Sequence, residues 1–153
     1  MYESLNEYST LLIAYMSTSN VTSNSRCDTI NQDYGYTEKS INHMKTYISL
    51  PISGRPIEEA KAEADSAKRI FQQAFPQGEV ITPFDIVPDP PDMPPHKQYA
   101  YCMGRDIEAL LTCSHIAMCP GWRMSKGCQA EHAIAEVYGL TISYLSSINI
   151  KAL

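Results

Sequence analysis

From residue 44 onward, short apolar runs alternate with longer stretches in which apolar residues recur every three or four positions. "KTYISL" (45–50), "EVITPF" (79–84), "HIAMCP" (115–120) and "TISYL" (141–145) are compact and rich in β-formers, the pattern of strands buried on both faces. Between them the spacing predicts helices. Over 57–75, Ala60, Ala64, Ala67, Phe71 and Phe75 make one continuous apolar stripe. Pro56 suits the first turn, and Glu58 and Glu59 precede Lys68 and Arg69, as the helix dipole favours. Two further helices are predicted, over 97–113 and 126–138. In the last, Ala130, Ala133, Ile134, Val137 and Tyr138 form the expected buried face, with Glu131 at its edge. Such alternation implies parallel strands joined by right-handed crossovers. The expected fold is α/β, a three-layer, doubly wound parallel sheet of four to five strands in the flavodoxin-like order 2-1-3-4(-5). "PFDIVPDPPDMPP" (83–95) reads as irregular and too long for a plain connector, which suggests an active-site flap or a subunit contact.

Residues 1–43 break this pattern. They hold no proline, one glycine (Gly35) and many Ser, Thr and Asn. The segment is expected to be a poorly ordered extension, with Met44 as an alternative start and the α/β domain occupying 44–153. It is given no function; an arm contacting a neighbouring subunit is the other reading.

Composition narrows the function classes. The 153 residues are 44% hydrophobic and 19% charged, ordinary for one globular domain. A net charge of -5 argues against a binder of nucleic-acid polymers, which would show a basic face, yet leaves room for a small anion held by local cations. The cysteines, at 27, 102, 113, 119 and 128, have neither C-x-x-C spacing nor a histidine pair that would complete a zinc pattern. Reduced thiols in a cytoplasmic protein are expected, with no metal and no cofactor. No apolar run approaches the roughly 20 residues of a membrane span, so no membrane association is expected.

In open α/β sheets, ligands bind beyond the carboxyl ends of the strands, where strand order reverses. That crevice lies between the first and third strands here. The loops leaving them carry Ser53, Gly54 and Arg55, and Gly121, Trp122, Arg123, Ser125, Lys126 and Gly127. Cations, hydroxyls and glycines thus gather where free N–H groups at helix starts favour an anion. Glu131 lies four residues after Gly127, whose missing side chain should open a slot beside the carboxylate. A solvated glutamate favoured by the helix dipole is the plainer alternative. Asp106 lies at the centre of the stripe of Tyr99, Met103 and Leu110. There it is either a functional acid or the cap of a segment that follows a break at Gly104. Tyr47 sits near the carboxyl end of the first strand, either as core packing or as a phenol reaching the crevice. Trp122, the only tryptophan, offers a stacking surface for a flat ligand. His115 and His132 have no triad-like context and are read as structural.

"YISLPISGRP" and "RDIEALLTCSHIAMCPGWRMSKGCQAEHAIAEVYG" together resemble the nucleoside 2-deoxyribosyltransferase-like superfamily, which includes nucleoside 5′-monophosphate N-glycosidases. The resemblance spans residues 44–145 and is closest to a small branch of unknown function. Its strongest block is Gly121, Trp122, Ser125, Gly127 and Glu131. It implies Glu131 as the nucleophile on the anomeric carbon, Asp106 as the acid that protonates the departing base, and Tyr47 as the phenol that aims the nucleophile. It further implies that Ser125 and Gly127 hold a 5′-phosphate or 5′-hydroxyl, and that the protein is a homo-oligomer whose partner molecule is a nucleoside or nucleotide. One departure stands out: Leu50 occupies the position where the family carries glycine, which would crowd the sugar or change the ligand. The expected activity is N-glycosidic cleavage or (deoxy)ribosyl transfer; a non-catalytic nucleotide-binding or sensing module in the same crevice is the alternative.

Overall fold

The computed structural model describes residues 44–146; the expectations placed on residues 1–43 lie outside it. Four strands, β1 (Lys45–Ser49), β2 (Glu79–Ile81), β3 (His115–Met118) and β4 (Thr141–Tyr144), form one sheet in the order β2-β1-β3-β4. All three pairings are parallel, with Tyr47 opposite Ile81 on one side and Ile116 on the other. The helices are α1 (Ile57–Ala74), the single turn α2 (Pro83–Ile86), α3 (Pro95–Leu110) and α4 (Lys126–Tyr138), with a 3₁₀ turn at Trp122–Met124. The predicted α/β class, strand order and three layers are all present.

Strand alternation builds two cores. Ile48, Leu50, Ala117 and Cys119 turn to one face and pack with Ala64, Ala67 and Phe71 of α1. Tyr47, Ile116 and Met118 turn to the other and pack with Leu110 of α3 and with Cys128 and Ala135 of α4. The α1 stripe is as predicted, buried through Ala60, Ala64, Ala67 and Phe71. Its last turn holds no basic residue: Lys68 instead binds Asp85 through both carboxylate oxygens, and Arg69 donates to Ser66.

Several local expectations need correction. The second strand stops at Ile81 because Thr82 caps a helical turn: its hydroxyl accepts from the Asp85 N–H, and the Asp85 carboxylate accepts from the Thr82 N–H. The stretch 83–95 therefore starts with a regular turn. The following helix spans Pro95–Leu110 instead of 97–113 and runs through Gly104 without a break, so Asp106 is an interior residue rather than a cap. The buried face of α4 is also rotated. It consists of Cys128, Glu131 and Ala135, while Val137 and Tyr138 are 81% and 65% exposed. The sheet already presents Tyr47, Ile116 and Met118 to this helix, so small side chains and a hydrogen-bonding carboxylate fit against it. Gly139, at φ 70°, ends α4 in the left-handed conformation that glycine adopts without strain.

Candidate active site

Strands β1 and β3 diverge into their loops at the point where strand order reverses, and a cavity of about 810 Å³ opens there. Its wall combines the loop after β1 (Leu50, Ser53), the start of α4 (Ser125, Gly127) and two acids, Asp106 of α3 and Glu131 of α4. Both acids are buried, at 8% and 4% exposure.

Glu131 is held from below by the sheet. The Tyr47 hydroxyl donates to its Oε1 at 2.7 Å and the Ser49 hydroxyl donates to its Oε2 at 2.5 Å. Tyr47 and Ser49 are two apart in β1, so the strand places both side chains on the α4 face. Burial raises the pKa of Glu131 above the usual carboxylate value, and the two hydroxyl donors pull against that shift without cancelling it. The Tyr47 phenol is pushed well above its usual value, first by burial and then by the charge of Glu131, so it stays a donor.

Asp106 is the counterpart without support. Its Oδ1 is buried and has no hydrogen-bond partner. Burial, followed by the nearby charge of Glu131, raises its pKa to about 7. Two carboxyls that repel across one cavity do not both ionise readily. The charge settles on Glu131, which has two donors, and the proton on Asp106, which has none. The arrangement thus favours ionisation at Glu131 and retention of a proton at Asp106 up to about pH 7.

The predicted site residues divide into two groups. Glu131, Asp106, Ser53, Ser125 and Gly127 line the cavity, and Tyr47 lies directly beneath Glu131. Ser125 is the N-cap of α4, accepting from the Cys128 N–H. Gly54, Arg55, Gly121 and Trp122 do not line it. Gly54 and Gly121 adopt left-handed conformations, at φ 85° and 79°, that turn the two loops. Arg55 is tied to Glu63 at 2.5 Å. Trp122 stacks on His132 at 4.5 Å and carries the Arg123 guanidinium at 4.6 Å from its ring centre, so its aromatic surface is engaged within the protein.

Gly127 lines the cavity together with Glu131, where the slot was expected, and has a second part. A Cβ there would meet the Met103 Sδ at 3.3 Å and the Tyr99 hydroxyl at 3.5 Å. The missing side chain lets α3 approach α4, which brings Asp106 and Glu131 to one cavity. Ser49 was missed by sequence reasoning, although its i+2 relation to Tyr47 was a signal for it. Leu50, nearly buried at 3% exposure, contributes to both the α1-side core and the cavity wall.

Cys102, Cys113, Cys119 and Cys128 are unpaired thiols; burial leads the rise in pKa of each, so none is poised as a thiolate nucleophile. Among the described residues, no cluster of three or more His, Cys, Asp or Glu is arranged to hold a metal ion, and no helix is long and apolar enough to cross a membrane.

Residues 44–144 match the sequence model of a family described as a domain of unknown function, DUF4406. No curated protein and no solved structure matches the chain.

Proposed function

The chain belongs to the DUF4406 family, and we propose that its domain breaks the N-glycosidic bond of a nucleoside or nucleotide, with Glu131 as nucleophile and Asp106 as general acid. One observation carries the reading: a twice hydrogen-bonded carboxyl, Glu131, and a buried carboxyl with an unpartnered oxygen, Asp106, share one cavity. Cleaving a sugar–base bond develops positive charge on the sugar and negative charge on the base, so the reaction needs an anion on one side and a proton donor on the other. The resemblance of Gly121, Ser125, Gly127 and Glu131 to the nucleoside 2-deoxyribosyltransferase-like superfamily supports the same assignment.

In this mechanism a Glu131 oxygen attacks the anomeric carbon. The carbon–nitrogen bond breaks, its electron pair passes to the base, and Asp106 supplies the proton that leaves the base neutral. Water then attacks the glycosyl ester at the anomeric carbon. Its proton returns to Asp106, its hydroxyl joins the sugar, and Glu131 leaves as a carboxylate. In the transfer variant, a second base replaces water. Tyr47 and Ser49 hold Glu131 in orientation throughout and, by donating hydrogen bonds, stabilise the charge that returns to its carboxylate as it leaves the ester.

The test is base release, followed by chromatography, over a panel of nucleosides and nucleotides. Glu131→Gln keeps the shape of the side chain, and its expected effect is a loss on the order of 10³-fold or more with an unchanged circular dichroism spectrum. Full activity in that variant removes the nucleophile from the proposal. The second reading is a nucleotide-binding or sensing module, favoured by Leu50 in the cavity wall where the resemblance places glycine. Ligand-induced melting shifts in the wild-type protein, with no base released from any member of the panel, select that reading.

A further inference from the structure

Four helices start at this one cavity. Ile57, Pro83, Pro95 and Lys126, the first residues of α1, the single turn α2, α3 and α4, all line it. Parallel topology is the cause, because each crossover helix ends near the amino edge of the sheet and the next starts from its carboxyl edge. The N-cap positions of α1 and α3 are prolines, and no side chain caps either helix, so the first-turn N–H groups of α1 lack that satisfaction, whereas in α3 Pro95 has no N–H and the Lys97 N–H donates to the Pro94 carbonyl. Each terminus carries roughly +0.5 elementary charge, offset at α1 by Glu58 and Glu59 in its first turn.

The charged side chains of the wall are layered in the same sense. The acids Asp106 and Glu131 are buried, whereas the cations Lys61 and Lys126 are exposed. Lys61 touches Glu58 at 3.6 Å, but Glu58 is largely in solvent and is not part of the wall. In a protein of net charge -5, the cavity therefore has an acidic floor beneath a positive mouth. The unpartnered Oδ1 of Asp106 points to a ligand group at the floor, and the helix starts and lysines point to an anion above it.

We infer that the cavity takes a nucleotide bearing a diphosphate, with the diphosphate at the mouth where Lys61 and Lys126 stand. Two lysines on different helices, together with several helix starts, supply donors enough for a second phosphate, and about 810 Å³ leaves room beyond a nucleoside. The placement of the sugar–base bond at the floor rests on the glycosidic reading; the preference for the anion does not. Two sources share this chemistry: a free nucleoside diphosphate, and a dinucleotide joined through a 5′,5′-diphosphate bridge.

The experiment measures binding to Glu131→Gln protein by calorimetry. Its ligands are adenosine, AMP, ADP and the diphosphate-bridged diadenosine compound, with guanine, cytosine and uracil series alongside. Affinity is expected to rise about tenfold from nucleoside to monophosphate and about tenfold again to the diphosphate, each step matching a charge-assisted contact. Both steps are lost in a Lys61→Ala, Lys126→Ala background, and the tighter of the last two ligands identifies the source. Wild-type melting shifts with inorganic pyrophosphate, set against sulfate, give the same readout without the Glu131 variant. A nucleoside that binds as tightly as its diphosphate, or a gain that survives loss of both lysines, overturns the inference. Base release by wild-type protein on the same compounds separates the two ideas. Diphosphate-selective binding without base release sinks the glycosidic reading alone; equal release from nucleosides and diphosphates sinks this inference alone.

Discussion

At Glu131 two physical effects of opposite sign meet. Desolvation favours the protonated acid, while the hydroxyls of Tyr47 and Ser49 favour the anion. Hydrogen bonds to a charged group contribute about 1.5–3 kcal/mol each, and one pKa unit corresponds to about 1.4 kcal/mol. Removing one donor therefore raises the Glu131 pKa further. Since the nucleophile must be ionised, the acid limb of the pH–rate profile for base release is expected to move to higher pH in Ser49→Ala, and likewise in Tyr47→Phe. The alkaline limb, set by loss of the Asp106 proton near pH 7, should stay closer to its place. An unmoved acid limb in both variants would show that the two hydroxyls do not tune the nucleophile. Tyr47 and Glu131 were visible in the sequence as residue types at suggestive positions. Their bond was implied only by the family resemblance and not by spacing, because it joins residues 84 apart through a fold that no local pattern encodes.

The helices show how local physics overrides local pattern. Thr82, Pro83 and Asp85 make a capped turn, but the proline density of 83–95 hides it; proline at the first helical position removes only an N–H that has no partner there. Asp85 does double work, closing the cap and binding Lys68 of α1. Burial alone would raise its pKa, yet the hydrogen bonds from Lys68 and Thr82 outweigh burial and hold it below the ordinary carboxylate value. A depressed pKa means stability that is present above the unfolded value and lost as pH falls through the folded one. Asp85→Asn is therefore expected to lower the melting temperature at neutral pH, with the gap to wild type closing below about pH 4. A gap independent of pH would assign the loss to packing instead of charge. In α4, counting apolar residues selected the wrong face because Glu131 was scored as polar. Paired hydrogen bonds made that position part of the interior, leaving Val137 and Tyr138 outside.

Across the whole molecule, strand order and the crevice it creates were legible, since four short apolar runs separated by helical stripes admit few parallel topologies. What the sequence concealed is that the sheet buries titratable groups with opposite pH dependences. His115 lies inside the sheet, hydrogen-bonded to Thr46 at 3.1 Å and to Ser143 at 2.9 Å, and burial lowers its pKa to about 3. Its contribution to stability is complete above pH 6.5 and declines toward pH 3, because the unfolded chain takes up a proton that the folded one refuses. Asp106 acts in the other direction. With its pKa raised to about 7, the folded chain holds a proton that the unfolded one releases, so its contribution is complete below pH 3.8 and is lost as pH rises through 7. Between about pH 4 and 6.5 the two proton counts, one gained in each state, cancel. Asp106→Asn removes one side of that balance. The variant is expected to unfold more readily with acidification than wild type, by about 1.4 kcal/mol per pH unit across this window. Urea denaturation of both proteins at pH 4.5, 5.5 and 6.5 measures the difference, in which all other titrating groups cancel. Parallel stability curves would mean that Asp106 titrates like a solvated carboxyl and carries no proton near neutrality, which would deprive the proposed reaction of its acid.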